Sequence, residues 1–229
     1  MNVWLLLPTA KPERGAAAVE RWRKQGYKVA CYVNDDCPDF EADLLLRGTY
    51  RGYWNAMNRL AEVAFDAMVA DVCLFAGDDM DPDPKRIAQE LGREYLERFP
   101  DGFGVMQPCG DPQGVDGTGL PAARRICGSA WFGRGWEKRA YRGRGPTDGG
   151  YWHFYADESL KEVSEKLGAL WWRPDVTQFH RHWSWGHMPI QDYHQKNQRH
   201  WEEDYAKFYA SKAAGFPEGE PLPAEHVAR

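Results

Sequence analysis

Short apolar runs alternate with stretches of helical periodicity along the first half of the chain. Residues 3–7 and 72–75 are apolar throughout, which predicts two buried strands. Between them, apolar residues such as Trp54 and Met57 recur at the spacing of one helix face and predict a helix over residues 53–66. Alternation of this kind is typical of an α/β fold in which helices flank a mixed, mostly parallel sheet.

The same patterns define the remaining elements. Further strands are predicted at residues 27–33, 104–107, 125–132 and 169–172, and further helices at residues 13–25, 84–99, 136–141, 157–167 and 191–209. Residues 39–46 are ambiguous, and Gly26 and Gly168 end two of the helices. A Gly/Pro/Asp-rich loop at residues 108–118 separates two halves of a single domain, which continues into a C-terminal helical extension and a flexible tail from Gly215.

Composition and charge exclude several classes of protein. The chain has 229 residues, a formal net charge of -5 and a pI near 5.8, which argues against a protein that coats nucleic acid. No run reaches the roughly 18–20 apolar residues of a membrane span, and Pro8 ends the first apolar run, so we expect a strand there and not a signal peptide. The five cysteines form no CxxC pair, which indicates a reducing, cytoplasmic compartment and disfavours a thiolate zinc site.

The densest group of carboxylates follows the strand at residues 72–75. Asp78, Asp79 and Asp81 fall within four residues, directly after Gly77. Carboxylates this close repel one another unless a cation neutralises them, and a divalent ion with oxygen ligands is the usual solution. The sequence therefore predicts an acidic metal site at the end of a buried strand. The alternative is an Asp-rich turn delimited by prolines.

Polar residues also follow the first two strands, namely Thr9 and the run of Asn34, Asp35 and Asp36. If the strands are parallel, these residues and the acidic cluster converge on one edge of the sheet, where open α/β sheets bind their ligands. The three loops suit the three parts of a nucleotide, namely its base, its ribose and its cation-bound diphosphate. The chain has no GxGxxG after the first strand and no GxxxxGK[ST], which disfavours dinucleotide-binding and P-loop proteins.

Four segments resemble the nucleotide-binding half of GT-A glycosyltransferases of the glycosyltransferase family 2 type. They are VWLLLPTAKP at the start, VNDD after the second strand, GYWNAMNRLAEVA in the second helix and CLFAGDDMDPDP around the acidic cluster. The resemblance implies a GT-A-like (Rossmann-like) fold. It further implies that residues 1–110 form the nucleotide-sugar-binding half, residues 111–190 the acceptor-binding and catalytic half of the same domain, and residues 191–229 a C-terminal helix and tail.

The resemblance also implies roles for individual residues. Contacts to the nucleoside and its ribose would come from Thr9, Asp35 or Asp36, and Asp78. In the DXD-type motif, Asp79 would bind the Mn²⁺ or Mg²⁺ ion that carries the diphosphate of a UDP-sugar. Asp81 is the alternative ligand if the motif is Asp79-x-Asp81.

In the second half, the resemblance implies a general base and a further metal ligand. Asp157 and Glu158 open a predicted helix where the family has an acidic pair, and Asp157 aligns best with the base. The family more often has Glu-Asp, and here an alanine precedes the Asp, so Glu158 is the alternative base. An ordinary helix cap with a first-turn acid is the structural alternative. His180 and His182 project to one side of an extended segment, and one of them, preferably His180, would complete the metal shell. The alternative is a surface histidine pair.

A basic and aromatic patch stands out from the acidic whole. Its cations are Arg124, Arg125, Arg134, Lys138, Arg139, Arg142 and Arg144, and its aromatic residues are Trp131, Phe132, Trp136 and Tyr141. We expect Arg134 and Arg142 to clamp the donor diphosphate, and Trp131 or Trp136 to stack on an extruded base. A solvated basic helix face is the alternative. The glycine-rich loop at residues 142–150 is predicted to be mobile and to close over the donor.

Together these features predict a metal-dependent hexosyltransferase that moves a sugar from a UDP-sugar to an acceptor hydroxyl with inversion. The acceptor is either a hydroxymethylated base in DNA, in the host cytoplasm if the gene is a phage gene, or a glycan. A nucleotidyltransferase would share the sheet and the metal, but only Lys11 and Arg14 supply the cations it needs near the first strand. A non-catalytic module that binds sugar or nucleic acid is the third hypothesis. The oligomeric state stays open.

Overall fold

The computed structural model describes residues 1–111, 124–183, 186–187, 189–190 and 192–217, without the side chain at position 194. The strands in these ranges are β1 (Val3–Pro8), β2 (Lys28–Val33), β3 (Leu44–Arg47), β4 (Val72–Phe75), β5 (Met80–Asp81), β6 (Val105–Pro108), β7 (Trp131–Gly133), β8 (Leu170–Arg173) and β9 (Phe179–His180). The helices are α1 (Pro12–Arg23), α2 (Tyr53–Asp66), α3 (Ala88–Arg98), α4 (Arg134–Arg139), α5 (Ala156–Lys166), α6 (Asp192–Gln198) and α7 (Trp201–Ala213).

The main sheet has seven strands in the order β3-β2-β1-β4-β7-β6-β8. Neighbouring strands are parallel, except that β7 runs antiparallel to both β4 and β6. Strands β5 and β9 pair antiparallel in a separate two-stranded ribbon. The structure confirms the predicted α/β architecture with a mixed, mostly parallel sheet.

Side-chain alternation along β1 explains why the sheet has a hydrophobic core on each face. Trp4 and Leu6 belong to one core, which α2 and α5 complete, while Leu5 and Leu7 belong to the other, which α1 and α3 complete. Every residue of β1 and β4 is buried, because helices cover both faces of the sheet at these strands. This double burial is the physical reason for the continuous apolar runs in the sequence.

Helix α2 and strand β4 have the predicted bounds, whereas the predicted helix over residues 84–99 begins only at Ala88. The buried carboxylate of Asp83 accepts hydrogen bonds from the backbone N–H groups of Lys85 (2.7 Å) and Thr177 (2.8 Å). These bonds hold the residues before α3 in a turn, since the carboxylate competes with helical hydrogen bonding.

The predicted strand over residues 125–132 is shortened to β7. The backbone N–H of Cys127 donates to the carbonyl of Asp157 (3.1 Å), at the start of α5. Only from Ala130, whose carbonyl accepts the N–H of Phe75 (3.0 Å), does the chain pair with β4. The segment between these two contacts therefore crosses from α5 to the sheet.

The predicted helix over residues 191–209 is two helices, α6 and α7. The chain turns between them where the ring of His200 stacks on Trp152, with ring centroids 4.0 Å apart. Of the ambiguous residues 39–46, the last three belong to the edge strand β3. The predicted tail lies outside the described residues from position 218 onward. No helix in the described part of the chain is long and apolar enough to cross a membrane.

Candidate active site

A cavity of about 780 Å³ opens at the carboxyl ends of β1 and β4. The loops after these two strands contribute to its lining, together with β9, the first turn of α5 and part of α6. Its volume lies within the range of small-molecule sites. Because open α/β sheets bind ligands beyond the carboxyl ends of their strands, this cavity is the candidate active site.

Asp78 connects the loops after β1 and β4. Its carboxylate accepts a hydrogen bond from the hydroxyl of Thr9 (2.7 Å) and forms an ion pair with Arg14, while its carbonyl accepts one from Arg21 (3.0 Å). Burial raises the pKa of Asp78, against the opposing effects of the Thr9 hydrogen bond and the charge of Arg14. Asp78 and Thr9 both line the cavity, as parallel strands at this edge require.

Asp79 faces the cavity beside His180. The Oδ1 atom of Asp79 lies 3.5 Å from Nε2 of His180, and its Oδ2 lies 4.0 Å from Arg14. Burial raises the pKa of Asp79, but the hydrogen bond and charge of His180 and the charge of Arg14 outweigh burial and hold the pKa below its usual range. Asp79 is therefore ionised at neutral pH. Gly77 leaves room for the Asp79 side chain in this orientation, because a Cβ at position 77 would overlap Asp79 Oδ1 unless that side chain moved.

Asp79 and His180 are suited to share a metal ion with a substrate. No three His, Cys, Asp or Glu side chains within the described ranges are grouped closely enough to hold a metal by themselves. Mg²⁺ is commonly bound through one or two carboxylates and takes its remaining ligands from substrate phosphates and water. Asp79 supplies one such carboxylate beside the open cavity, and His180 adds an imidazole nitrogen. His182, the alternative ligand, also lines the cavity, with its ring centroid 4.9 Å from that of His180.

Asp81 is not among the residues that line the cavity. Its carboxylate pairs with Arg21 (2.8 Å) and with Arg181 (2.6 Å). Arginines therefore supply the positive charge that we expected from a metal ion at Asp78 and Asp81. Arg14 and Arg21 lie seven residues apart on one face of α1. This spacing was the sequence signal that both arginines could pair with the acidic cluster.

Asn34, and not Asp35 or Asp36, reaches the cavity from the end of β2. Asp35 and Asp36 are exposed, and Asp35 accepts only a long hydrogen bond from the hydroxyl of Thr49 (3.4 Å). The three polar loops do converge, but the structure brings an amide to the cavity from the second loop, where the sequence predicted a carboxylate.

The acidic pair of α5 lines the same cavity as the sheet loops. Asp157 and Glu158 both line the cavity, and Asp157 Oδ1 accepts the backbone N–H of Glu158 (3.1 Å). Burial, followed by the charge of Asp157, raises the pKa of Glu158 to about 10. Glu158 therefore keeps its proton at neutral pH.

A Glu158→Gln variant is expected to be more stable than the wild-type protein, by a margin that grows with pH. Glutamine resembles the protonated acid and cannot ionise. Because the folded-state pKa is raised from 4.5 to about 10, the stability that protonated Glu158 contributes is lost as pH rises through that window. Melting temperatures of both proteins at about pH 5 and pH 9 measure the difference. A difference that stays constant with pH would contradict the raised pKa.

An aromatic wall that the sequence did not single out closes another part of the cavity. Tyr50 and Trp152 both line it and meet edge to face, with ring centroids 5.7 Å apart. The wall approaches α2 closely, since the Trp152 carbonyl accepts the N–H of Tyr53 (2.7 Å). Gly52 permits this contact: its φ is +102°, and a Cβ there would lie 2.9 Å from the same carbonyl oxygen.

Asp204 fixes α7 to this wall. Its carboxylate is buried and accepts the backbone N–H groups of Trp152 (2.8 Å), His153 (2.9 Å) and Phe154 (2.9 Å). Hydrogen bonds to a charged acceptor are stronger than those between neutral groups. The C-terminal helix is thereby part of the site, although the sequence suggested only an extension of the domain.

The prediction that Trp131 or Trp136 stacks on a nucleic-acid base is wrong. Both side chains have an exposed fraction of 0%. Their indole N–H groups donate to Gln178 (2.8 Å) and to the carbonyl of Pro146 (2.9 Å), inside the protein. Tryptophans in these positions are core residues with satisfied polar atoms.

The structure also places Arg134 and Arg142 away from the cavity. Arg134 pairs with Asp66 (2.6 Å), as Arg139 does with Asp101 (2.5 Å), and Arg142 donates to a backbone carbonyl near the C-terminus (3.4 Å). Neither Arg134 nor Arg142 is among the residues that line the site. Of the cations in the patch, the cavity includes Arg125.

The loop at residues 142–150 packs against α2 and contributes no residue to the cavity lining. The side chain of Asn58 donates to the carbonyl of Thr147 (2.9 Å) and accepts the hydroxyl of the same residue (2.9 Å). Gly145 is buried against Asn58 as well. The loop does not cover the cavity in this structure, and Gly145 allows its close packing on α2; closure over a donor stays a prediction.

Neither a family model nor a curated protein matches the chain. Solved structures do, at low identity. TarS 1–349 from S. aureus is similar with a TM-score of 0.53 at 12% identity, and the same protein in complex with UDP with a TM-score of 0.50 at 11% identity. Each similarity covers 78% of this chain and 59% of the TarS chain, so this chain spans less than two thirds of that length.

A glycosyltransferase involved in the glycosylation of the major capsid of PBCV-1 is less similar. Its TM-score is 0.30 at 10% identity, over 59% of this chain and 61% of that one, which is too low to bear on the fold. The likeness to TarS 1–349 bears on the fold alone. The fold is GT-A-like. Membership of glycosyltransferase family 2 stays a prediction.

Proposed function

We propose that the protein is a metal-dependent glycosyltransferase that moves a sugar from a UDP-sugar to an acceptor hydroxyl, with inversion at the anomeric carbon. One observation carries the proposal: Asp78, Asp79 and His180 line the same cavity as the carboxyl pair of Asp157 and Glu158. The first group suits a nucleoside diphosphate and its cation, and the second suits removal of the acceptor proton.

Thr9, Asn34 and Asp78 form the nucleoside side of the site in this proposal. An amide offers both donors and an acceptor to a base edge, and a carboxylate accepts hydrogen bonds from ribose hydroxyls. Both oxygens of Asp78 already have partners inside the protein, which hold the carboxylate in one orientation. The likeness to TarS 1–349, whose structure was solved in complex with UDP, supports UDP as the nucleotide.

Asp79 and His180 would hold Mn²⁺ or Mg²⁺. When bound, the ion supplies Lewis-acid stabilisation of the negative charge on the departing diphosphate. Arg125 lines the same cavity and adds positive charge, in place of the predicted Arg134 and Arg142.

Asp157 removes the proton from the acceptor hydroxyl. The acceptor oxygen attacks the anomeric carbon of the sugar, and the bond from that carbon to the diphosphate oxygen breaks as the new bond forms. The diphosphate leaves with the electron pair, and the proton stays on Asp157. We assign the base to Asp157 because it lines the cavity and because Glu158 already carries a proton at neutral pH.

Calorimetry with UDP tests the donor side. We expect UDP to bind in the presence of manganese and to bind more weakly after chelation with EDTA, because the diphosphate would lose its bridging cation. Incubation with UDP-glucose, UDP-galactose and UDP-N-acetylglucosamine should then release UDP slowly, with water as the acceptor. Failure of UDP to bind under either condition would refute the proposal, and binding of an oligonucleotide instead would favour a binding module.

A further inference from the structure

Helix α7 carries a row of aromatic side chains on one face. Trp201, Tyr205 and Tyr209 are spaced four residues apart, so they stand one turn above another. Their ring centroids are 5.0 Å and 4.4 Å apart along the row. Tyr155 packs against all three, at 6.0, 5.8 and 6.4 Å. We call these four residues the aromatic stripe.

The outer end of the aromatic stripe is accessible. Tyr205 and Tyr209 are 40% and 48% exposed, although clustered aromatic side chains of this size are usually buried. The two rings are adjacent, so they form a contiguous exposed aromatic surface, unlike single exposed apolar residues, which need no explanation.

The inner end of the aromatic stripe enters the candidate active site. Tyr155 and Trp201 line the cavity, and Tyr155 immediately precedes α5, two residues before Asp157. The buried carboxylate of Asp204 fixes the same helix to the cavity wall. The stripe is therefore a continuous aromatic surface that leads from the outside of the protein to the general base of the proposed mechanism.

The chemistry of the aromatic stripe selects among possible occupants. Each exposed tyrosine combines a flat apolar ring with a hydroxyl, which matches the apolar C–H face and the polar edge of a pyranose ring. Glu202 and Glu203 are exposed in the first turn of the same helix, and their charge would repel a phosphate backbone from the outer part of the stripe, whereas the cations Lys196 and Arg199 line the cavity itself. A sugar chain is thus favoured over a nucleic acid.

We propose that the aromatic stripe docks an oligosaccharide acceptor, whose terminal sugar enters the cavity beside Asp157. The inference rests on the proposed glycosyltransferase activity and adds the class of acceptor to it. The sugar chain would contact the exposed parts of Tyr209 and Tyr205 outside the cavity and Trp201 at its mouth. The acceptor is then a glycan, and the hydroxymethylated DNA base is excluded.

A pair of double variants tests the stripe. In Tyr205→Ala/Tyr209→Ala the stacking surface is removed, and in Tyr205→Phe/Tyr209→Phe it is kept. Binding is measured on an array of neutral linear oligosaccharides that includes cellohexaose, maltohexaose, chitohexaose and mannohexaose. We expect the wild-type protein to bind at least one of them, the alanine variant to bind it about tenfold or more weakly, and the phenylalanine variant to retain most of the affinity.

Two measurements test the proposed function without testing the stripe. They are the affinity for UDP in the presence of manganese and the slow release of UDP from a UDP-sugar in water. Neither Tyr205 nor Tyr209 lines the cavity, so the alanine variant should match the wild type in both measurements. If the wild-type protein binds UDP but no oligosaccharide on the array, or if the alanine variant binds oligosaccharide as well as the wild type, the inference is wrong and the proposed function stands.

Two other occupants would also overturn the inference. Sedimentation that shows a wild-type dimer and a monomeric alanine variant would identify the stripe as an interface with a second copy. Binding of a single-stranded oligonucleotide by the wild-type protein, with loss in the alanine variant, would identify a nucleic acid. If wild-type UDP binding itself fails, the proposed function is the part that is refuted.

Discussion

An Asp157→Asn variant is expected to turn over about 10²–10⁴ times more slowly than the wild-type protein while binding UDP with unchanged affinity, since this is the usual range for loss of a general base. Asparagine keeps the shape of the side chain, including an oxygen that can accept the backbone N–H of Glu158, but it cannot take a proton. UDP release from a UDP-sugar measures turnover, and calorimetry measures UDP affinity.

Glu158→Gln is the matched control for this prediction. Glu158 is protonated at neutral pH because burial and the charge of Asp157 raise its pKa to about 10, so glutamine replaces a group that is already neutral. We expect turnover of this control to stay within about tenfold of the wild type. A larger loss in Glu158→Gln than in Asp157→Asn would make Glu158 the base and would reverse the assignment within the pair.

An Asp79→Ala variant is expected to lose the manganese-dependent part of UDP binding, by about 100-fold or more, because outer-shell changes alone reduce metal affinity about 10–100-fold. The substitution removes one of the two protein ligands and its charge, and leaves His180 without the carboxylate that lies 3.5 Å away. UDP titrations with manganese and with EDTA measure the effect.

Asp81→Ala is the control for Asp79→Ala, two positions along the chain. Asp81 is paired with Arg21 and Arg181 and does not line the cavity, so this variant should bind UDP with the same dependence on manganese as the wild type. Equal losses in both variants would mean that the motif acts as Asp79-x-Asp81. An unchanged response to manganese in Asp79→Ala would remove Asp79 from the metal site.

The sheet and the convergence of its polar loops were predictable because they depend on local patterns. The apolar runs of β1 and β4 arise because both faces of these strands are buried. The carboxyl ends of parallel strands lie at one edge of the sheet, so the polar groups that follow these strands lie at that edge too. The helical spacing of α2 is equally local, and its bounds were predicted correctly.

The partners of charged residues were not predictable, because they are distant in sequence. Asp78 and Arg14 are separated by 64 positions, and Arg134 and Asp66 by 68. Composition alone showed a basic patch, and only folding shows that an acidic partner neutralises Arg134. The tryptophans of that patch were misassigned for a related reason. A tryptophan can be fully buried when its indole N–H has an acceptor, and the acceptor of Trp131, Gln178, lies 47 positions away in the sequence.

The three backbone hydrogen bonds that Asp204 accepts make the cavity wall and the C-terminal helix one cooperative unit. The amides of residues 152–154 can exchange with solvent only when α7 leaves the wall, or when the whole domain unfolds. Their exchange rates therefore report the free energy that holds the C-terminal helix in place. The same opening would disassemble Trp152 and the neighbouring aromatic surface, so these exchange rates also report how often the aromatic wall of the cavity comes apart.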